Sequence, residues 1–468
     1  MALTFHNSLT RRREDFVPIL AGKIGLYTCG PTVYNFAHIG NFRAYVFEDL
    51  LRRSLEHCGY EVNHVMNLTD VDDKTIRDSR EAGMELGAFT GQYKESFFED
   101  VDTLRIRRAH TYPAATEHIK EMIELIQKLF DAGVAYQADD GSVYFSIGRW
   151  PAYGQLLKID PDQMRAGARV SNDEYGKESV ADFALWKAWT EADGNVGWDS
   201  PWGKGRPGWH IECSAMSGKY LGAHFDIHCG GMDNLFPHHE DEIAQSEAAN
   251  GCKFVNYWLH CAHLIVDGEK MSKSVGNFYT LRDLGARGYT GRELRWVLLG
   301  THYRQQLNFS FKACEDARVS LQRLDTFKER VQEAAKQGDC GVEAAIEATR
   351  TASAAFTTAL EDDLNISAAL AALFDLVRDM NRAMDKGELG GIGAQSVLDA
   401  LDRMDGVLDV LTPDKSDSVP DEVLALAAER LAARKAKDFA RADEIRDRLQ
   451  ADGWEIEDTP EGPRVKRV

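Results

Sequence analysis

The stretch "LYTCGPTVYNFAHIGN", residues 26–41, joins the end of one predicted element to the start of another. The apolar run at 23–30 predicts a buried strand, and helical spacing of apolar residues predicts a helix from about His38 to Gly59. The segment 61–70, "EVNHVMNLTD", predicts a second strand that runs into an acidic loop. A strand, a helix and a strand in this order predict a βαβ unit, the beginning of a parallel sheet.

Chemistry-bearing residues follow the predicted strands. Ligands of parallel sheets lie beyond the carboxyl ends of the strands. Cys29 and Thr69 lie at such ends, and the His-Ile-Gly-Asn turn at 38–41 begins nine positions after Cys29. A helix start with free N–H groups and a glycine suits phosphate, but it does not need a thiol beside it. Taken alone, these residues are more often an ordinary helix start and a buried core cysteine than a binding site.

The bulk composition excludes several classes of protein. The chain has 468 residues, 44% of them hydrophobic, and no apolar run of the roughly 20 residues that span a bilayer. Without a signal-peptide pattern we expect a cytoplasmic protein whose eight cysteines are reduced, so that a cysteine cluster would indicate a metal. The net charge of −20 disfavours nonspecific nucleic-acid binding, and any RNA would need a locally basic face.

The remaining chain divides by pattern. Residues 95–205 mix helical and strand patterns with Gly-, Pro- and Trp-rich loops, which predicts an insertion in the parallel fold. Strand–loop–helix order returns at 225–251, and 258–277 predicts a strand pair and a glycine-bounded loop. A helical region follows at 311–412. After a linker-like segment, the chain ends in a predicted helical pair and a short strand-like piece.

Three short motifs carry candidate chemistry. They are His-Ile-Gly-Asn at 38–41, Gly-Gly-Met-Asp at 230–233 and Lys-Met-Ser-Lys-Ser at 270–274. Two lysines on a loop would neutralise charge on a transferring phosphate, and an Asp beside glycines would reach a ribose. Each motif alone is weak, since solvated loops and ordinary turns often match so few residues.

Together, and in this order within a split parallel fold, the motifs resemble those of class I aminoacyl-tRNA synthetases. The "KMSKS" match is complete, whereas Asn41 replaces the last His of the "HIGH" motif and keeps a hydrogen-bond donor. The stretches "YTCGPTVY", "GWHIECSAM" and "FPHHEDEIAQSE" are similar to the cysteinyl-tRNA synthetases, and this resemblance covers nearly the whole chain.

The resemblance implies one zinc ion bound by Cys29, Cys213, His238 and Glu242. Sulfur, nitrogen and oxygen ligands are all within the range of zinc, and residues 238 and 242 share a face if they lie on one helix. Ligands from distant parts of the chain are more typical of an active-site metal with an open coordination position than of a structural metal site. Spacing alone also admits His239, and only the family pattern selects His238.

The resemblance also implies the reaction: L-cysteine and ATP, with Mg²⁺, give cysteinyl-adenylate, and cysteine then passes to the 3′ end of tRNA(Cys). A cysteine thiolate on zinc would exclude serine at the binding step, so we expect no editing module in the insertion. The implied catalytic residues are His38, Asn41, Lys270 and Lys273. The implied ATP-binding residues are these four with Gly40, Gly231 and Asp233, and the implied cysteine-binding residues are Gly30, Thr69 and Trp209.

The implied fold is α/β, a parallel Rossmann-type nucleotide-binding fold split by an insertion and followed by an α-helical bundle and a small C-terminal anticodon-binding domain. The expected boundaries are 1–94 for the first catalytic half, 95–205 for the connective insertion, 206–310 for the second half with the zinc site and KMSKS loop, 311–412 for the helical bundle, 413–420 for a linker and 421–468 for the anticodon-binding domain.

The last segment of the chain distinguishes the cysteinyl-tRNA synthetase hypothesis from two alternative functions. A related ligase that joins cysteine to an amino sugar in thiol biosynthesis should lack such a tail, and an inactive zinc protein that binds RNA should not keep the lysine motif. The tail clusters basic residues, and Trp454 offers a stacking surface for an unpaired base. Family position makes Arg434, Asp443 and Asp458 candidates for anticodon reading, although a solvated helical face explains any one of them. We expect a monomer.

Overall fold

The computed structural model describes residues 2–157, 182–272, 275–413, 421–459 and 462–467, and among these the side chains of 421, 457–459, 462–464 and 466–467 are left out. Lys273, most of the expected linker and residues 158–181 of the expected insertion lie outside the described residues. The chain forms two compact units, Met1–Leu411 and Thr412–Val468. No helix in the described ranges is long and apolar enough to cross a membrane.

The described secondary structure mixes strands and helices before residue 310, is helical from 311 to 451, and ends in two strands. The strands are β1 (Thr4–Asn7), β2 (Arg12–Asp15), β3 (Lys23–Thr28), β4 (Glu61–Met66), β5 (Ala135–Gln137), β6 (Val143–Phe145), β7 (Phe183–Ala188), β8 (Gly205–Pro207), β9 (Phe225–Gly231), β10 (Val255–Cys261), β11 (Leu264–Val266), β12 (Glu269–Lys270), β13 (Leu307–Phe309), β14 (Trp454–Thr459) and β15 (Gly462–Arg467). The α-helices are α1 (Ile39–His57), α2 (Asp73–Glu81), α3 (Leu86–Thr103), α4 (Ile119–Asp131), α5 (Trp209–Leu221), α6 (Glu240–Asn250), α7 (Leu281–Ala286), α8 (Gly291–Leu299), α9 (Phe311–Ala335), α10 (Val342–Glu361), α11 (Ile366–Asp385), α12 (Gly391–Leu408), α13 (Asp421–Lys435) and α14 (Phe439–Ala451).

A four-stranded parallel sheet lies at the centre of the first unit, in the order β10-β9-β3-β4. Helix α1 connects β3 to its parallel neighbour β4, so the predicted βαβ unit is present. The sheet's strands are almost fully buried toward their carboxyl ends, as expected when both faces are covered. The neighbours β3 and β9 are separated by a long stretch of chain, which makes this a split parallel fold.

The intervening chain forms a second sheet of antiparallel strands, β5-β6-β7-β8. It has its own apolar core, in which Trp186 is fully buried and Phe145 stacks on Phe183 at 4.9 Å. This core includes Ile211 and Ala244 from the helices that follow, so the insertion packs against the helices of the second half.

The strand pair predicted at 258–277 is present as β11 and β12, which pair antiparallel. Strand β10 extends the central sheet, whereas β11 pairs in parallel with β13 and antiparallel with β12. Strands β10 and β11 therefore belong to different sheets, and the short step at 262–263 changes the partner. Local periodicity did not reveal this, because the partner strand β13 lies about 40 residues further on.

The helical region packs as α9 to α12 and shares the main apolar core of the first unit. The second unit consists of α13, α14 and a β14–β15 antiparallel hairpin around a small core of Val423, Ile445 and Leu449. The helical pair predicted for the tail is present, and the predicted strand-like piece is this hairpin.

Candidate active site

A cluster of potential metal ligands lies at the carboxyl ends of β3 and β9. Cys29 directly follows β3, and its N–H donates to the carbonyl of Cys229 on β9 at 3.2 Å. Helix α5 supplies Cys213, and the turn before α6 supplies His238 and His239, with Glu242 in the first turn of that helix. The topology thus brings together residues from both halves of the split fold.

The cluster contains two overlapping sets of donors that share Cys29 and Glu242. One set adds Cys213 and His238, and the other adds His228 and His239; within each set the ligand atoms lie within 4.8 Å of one another, and all are buried. The first set is the one implied by the family resemblance. The second contains the His239 alternative that spacing had left open, because His239 Nε2 lies 3.3 Å from Cys29 Sγ.

Glu242 distinguishes the two sets. Its Oε2 lies 2.9 Å from His228 Nε2 and forms a hydrogen bond there. Its Oε1 lies 3.0 Å from His238 Nε2, but the geometry is not that of a hydrogen bond, and this buried oxygen has no hydrogen-bond partner. A buried oxygen without a partner beside a ring nitrogen fits a cation between them. The residues present therefore fit a zinc ion in the first set.

Burial determines the protonation of these donors when no cation is bound. It raises the pKa of the Cys29 thiol well above its usual value and that of Glu242 to about 7, and it lowers the pKa of His238 to about 3. Each group is then driven toward its neutral form. A divalent cation reverses this preference by favouring thiolate and carboxylate.

The expected cysteine-binding residues lie beside this cluster. Gly30 N–H donates to Asn67 Oδ1 at 2.9 Å, and a Cβ at Gly30 would lie 1.8 Å from the Asn67 carbonyl oxygen, so no other residue fits. The hydroxyl of Thr69 donates to Glu212 Oε2 at 2.8 Å. Sequence reasoning missed Glu212, although a carboxylate within the motif "GWHIECSAM" was a signal.

Trp209 begins α5 and stacks on the ring of His238, with 4.4 Å between ring centroids and 25° between planes. Its side chain is 44% exposed. The indole therefore lies between a potential metal ligand and solvent, where an incoming small molecule would meet it.

The His-Ile-Gly-Asn turn starts α1 with a reciprocal cap. His38 Nδ1 accepts from the N–H groups of Gly40 and Asn41 at 3.1 and 3.3 Å, and Asn41 Oδ1 accepts from His38 N–H at 3.1 Å. Both side chains are half-buried. The turn is thus a rigid helix start, with His38 and Asn41 positioned by each other.

The KMSKS segment contacts this turn. Ile39 N–H donates to the Tyr279 carbonyl at 3.0 Å, and Phe278 meets the His38 ring edge-on at 4.8 Å. A Cβ at Gly40 would lie 3.0 Å from Met271 Cε, so the glycine permits this close approach. Lys270 is exposed on β12, and Lys273 lies outside the described residues.

Gly231 is the last residue of the buried strand β9, and Asp233 lies two residues after it. A Cβ at Gly231 would lie 2.2 Å from Asp233 Oδ1, so this carboxylate folds back over the glycine. Asp233 is exposed, as a ribose-binding carboxylate must be.

Known proteins match the chain throughout. A family model described as tRNA synthetases class I (C) catalytic domain matches residues 15–319, and a DALR domain model matches residues 355–412. The cysteine–tRNA ligase of Brachyspira hyodysenteriae is 51% identical over 473 residues, which cover 99% of each chain. That of Protochlamydia amoebophila is 50% identical over 470 residues, covering 99% of this chain and 98% of the relative. The chain belongs to the cysteine–tRNA ligase family.

Solved structures of other synthetases share the fold. The methionyl-tRNA synthetase of Mycobacterium tuberculosis, in complex with methionyl-adenylate, has a TM-score of 0.59 at 17% identity and covers 83% of this chain and 88% of that one. The LeuRS of Agrobacterium radiobacter K84, in a ternary complex, has a TM-score of 0.60 at 12% identity and covers 85% of each chain. Membership of the cysteine–tRNA ligase family confirms the predicted family, enzyme class and fold class, and it disfavours the amino-sugar ligase and the inactive homologue.

The C-terminal unit of this cysteine–tRNA ligase carries the residues expected to read an anticodon. Arg434 and Asp443 are exposed, and Asp443 pairs with Arg446 at 2.9 Å. Trp454 is half-buried and packs against the small core, and the side chain of Asp458 lies outside the described residues. The most exposed aromatic ring of this unit's described residues is instead Phe439, with 61% of its surface accessible. Phe439 was not among the residues predicted from the sequence.

Proposed function

We propose that this protein performs the cysteine–tRNA ligase reaction of its family with a zinc ion bound by Cys29, Cys213, His238 and Glu242. L-cysteine and ATP form cysteinyl-adenylate and pyrophosphate, and cysteine is then transferred to the 3′ end of tRNA(Cys). The observation that carries the proposal is the buried two-sulfur, one-nitrogen, one-oxygen donor set in which a Glu242 oxygen lacks a hydrogen-bond partner. This donor set is suited to bind a soft thiolate ligand through the metal.

The amino-acid pocket uses the residues around the donor set. Zinc held by Cys29, Cys213, His238 and Glu242 would offer the substrate thiolate a coordination position. Gly30 and Thr69 shape the floor of the pocket, and Trp209 closes it from the solvent side. Serine lacks an acidic, soft sulfur and is rejected at binding, by a factor on the order of 10⁴ or more where a required polar contact is lost. No editing activity is therefore needed, and the insertion serves another purpose.

ATP binds with Mg²⁺ beside the amino-acid pocket, at the residues of the three short motifs. Phosphates lie at the start of α1, where Gly40 permits close approach and His38 and Asn41 orient the turn. Lys270 and Lys273 neutralise charge that develops on the phosphates, and Gly231 and Asp233 receive the ribose. Because cysteine's own carboxylate attacks the α-phosphate, the protein contributes positioning and charge stabilisation and no covalent nucleophile.

The tRNA is recognised through the second compact unit. The tail at 421–468 reads the anticodon through Arg434, Asp443, Trp454 and Asp458, joined by the linker at 413–420 to the helical bundle at 311–412. The catalytic halves at 1–94 and 206–310 flank the insertion at 95–205. We place the enzyme in the cytoplasm, as a monomer, and sedimentation of the purified protein tests the latter.

The decisive experiment measures activation and transfer separately. Cysteine-dependent ATP–pyrophosphate exchange tests the first step, and transfer to tRNA(Cys) and to an amino sugar, in parallel reactions, tests the second. We expect exchange with cysteine, none with serine, and transfer to tRNA only. Transfer to the amino sugar alone would overturn the tRNA assignment, and absence of exchange in zinc-loaded protein would overturn the catalytic one. Rapid hydrolysis of Ser-tRNA would contradict selection without editing.

A further inference from the structure

The second ring nitrogen of His238 begins a chain of contacts that leads away from the metal site. His238 Nδ1 lies 2.9 Å from His210 Nδ1, and His210 Nε2 lies 3.3 Å from Asp241 Oδ2. The hydroxyl of Tyr153 donates to Asp241 Oδ1 at 2.5 Å. Asp241 and Tyr153 are buried, and Tyr153 belongs to the insertion.

The direction of each hydrogen bond follows from the first. A ring that binds a metal through Nε2 carries its proton on Nδ1, so His238 must donate to His210 Nδ1. His210 then accepts at Nδ1 and carries its own proton on Nε2. That N–H lies 3.3 Å from Asp241 Oδ2, an electrostatic contact without hydrogen-bond geometry, and Asp241 also accepts a hydrogen bond from Tyr153. The contacts are therefore consistent with one tautomer for each histidine, and a carboxylate at 241 selects that tautomer.

We propose that Asp241, acting through His210, is a positioning residue that fixes the tautomer and the ring plane of His238 as a metal ligand. This inference rests on the zinc site proposed above. Ligating histidines generally donate their other N–H to an outer partner, and losing that partner costs about 10- to 100-fold in metal affinity. The Trp209 indole holds the same ring by stacking, so His238 is oriented by a face contact and an edge contact.

A simpler role for Asp241 would be to anchor the insertion loop through Tyr153. The structure assigns that anchoring to its neighbour. Glu240 accepts backbone N–H groups of Gly154 and Gln155 with one oxygen, at 2.8 and 2.9 Å, and of Leu156 and Leu157 with the other, at 2.8 and 3.4 Å. Four hydrogen bonds thus hold the loop without Asp241.

Glu247 and His260 offer two control positions, one for the contact with the insertion and one for the alternative metal ligand. Glu247 on α6 also contacts the insertion, accepting from Gln155 Nε2 at 3.1 Å, but touches no histidine of the cluster. His260 lies 2.8 Å from His239 Nδ1 and would be the corresponding outer partner if His239 were the ligand. Glu247→Gln therefore tests loop contact, and His260→Gln tests the other donor set.

The experiment measures zinc dissociation constants of the full-length protein by competition with a chromophoric chelator. Asp241→Leu removes both acceptor oxygens, and we expect zinc binding about 10- to 100-fold weaker. Asp241→Asn keeps an acceptor of the same shape for His210, and we expect it to restore most of the affinity. His210→Ala should match Asp241→Leu, whereas Glu247→Gln and His260→Gln should stay close to wild type. Cobalt-substituted protein supplies a second readout, since its visible absorption bands should shift in Asp241→Leu and not in Glu247→Gln.

The outcomes separate this inference from the function on which it rests. Wild-type protein that binds no zinc, or Cys29→Ser that binds it equally well, overturns the metal site itself. A zinc-binding wild type with unchanged affinity in Asp241→Leu and His210→Ala overturns the positioning role alone. If Asp241→Leu fails to fold, the zinc affinity of His210→Ala tests the positioning role. His210 is only half-buried at the start of α5, so this variant should fold. Weaker binding in His260→Gln but not in His210→Ala would transfer the ligand role to His239.

Discussion

Glu48 should make the protein less stable as the pH rises above the range in which carboxyl groups normally ionise. It lies on α1, only 1% exposed, and neither of its carboxyl oxygens has a hydrogen-bond partner. Burial raises its pKa well above the usual value; a nearby Thr28 hydroxyl acts in the opposite direction, but that hydroxyl is already engaged with His64 Nε2 at 3.0 Å. The folded protein therefore keeps a proton on Glu48 that the unfolded chain releases.

The magnitude follows from linkage between folding and protonation. The unfolded state loses the proton near pH 4.5, so between this value and the raised folded-state pKa, folding loses about 1.4 kcal/mol per pH unit through this group. Glu48→Gln has no proton to lose. Relative to the variant, wild type should therefore be less stable at pH 6.5 than at pH 5.0, by about 1.4 kcal/mol for each pH unit below the folded-state pKa. With an unfolding entropy of about 2 cal/mol/K per residue, this is about 1.5 °C in Tm per pH unit.

Scanning calorimetry at both pH values measures this difference. Glu81→Gln is the matched control, because Glu81 is an exposed helical glutamate, and its Tm should follow wild type at each pH. The gap between Glu48→Gln and wild type should widen as the pH rises. Curves that stay parallel would refute the reasoning, because they would mean that Glu48 is ionised in the folded protein and has a partner.

Three further predictions concern the metal, the buried charges and the tail. Cys29→Ser should lower zinc content, measured by atomic absorption, and sharply raise the KM for cysteine in pyrophosphate exchange; an unchanged KM would remove Cys29 from the site. Asp49→Asn should lower the free energy of unfolding by about 3–5 kcal/mol, measured in denaturant, because it leaves the fully buried Arg295 without its charge partner. Burial raises the pKa of Asp49, but Arg295 and neighbouring groups outweigh burial and hold this pKa below its usual value. The stability that wild type gains over Asp49→Asn is therefore present above the unfolded-state pKa of Asp49. It is lost as the pH falls through the folded-state pKa. Phe439→Ala should raise the KM for tRNA with stability and pyrophosphate exchange unchanged, whereas Trp454→Ala should lower stability; equal tRNA kinetics in Phe439→Ala and wild type would exclude the exposed ring from RNA binding.

The sequence was sufficient where local pattern determines structure. Apolar periodicity predicted β3, α1 and β4, and the structure gives α1 from Ile39 with His38 as its cap. The motifs predicted which residues would gather at the carboxyl ends of the strands. Sequence spacing did not decide between His238 and His239, because both lie one helical step from Glu242. Glu242 Oε2 is hydrogen-bonded to His228, whereas Oε1, beside His238, has no hydrogen-bond partner, and this contrast supports the proposal of His238.

Residues that position other site residues were not predicted from the sequence. Glu212 accepts a hydrogen bond from the Thr69 hydroxyl, and Asp241 contacts His210. Both acidic residues lie in motifs from which only neighbouring residues were predicted to form the site. Their partners come from distant parts of the chain, and no periodicity links them. The parallel pairing of β11 with β13 was missed for the same reason, since strand partners over long separations depend on the packing of the whole sheet.

Buried arginines explain why the first compact unit continues beyond the nucleotide-binding fold to Leu411. Arg53 on α1 donates to Asp49 at 2.8 Å and to Asp409 at 2.8 Å, and Arg295 donates to Asp49 at 2.6 Å and to the Leu408 carbonyl at 2.7 Å. The end of the helical region is thereby fixed to the helix whose first turn forms the proposed nucleotide site. Removing one partner would leave a buried charge uncompensated, at a cost of several kcal/mol. The catalytic fold and the helical region therefore belong to one compact unit, although composition alone suggested a boundary near residue 311.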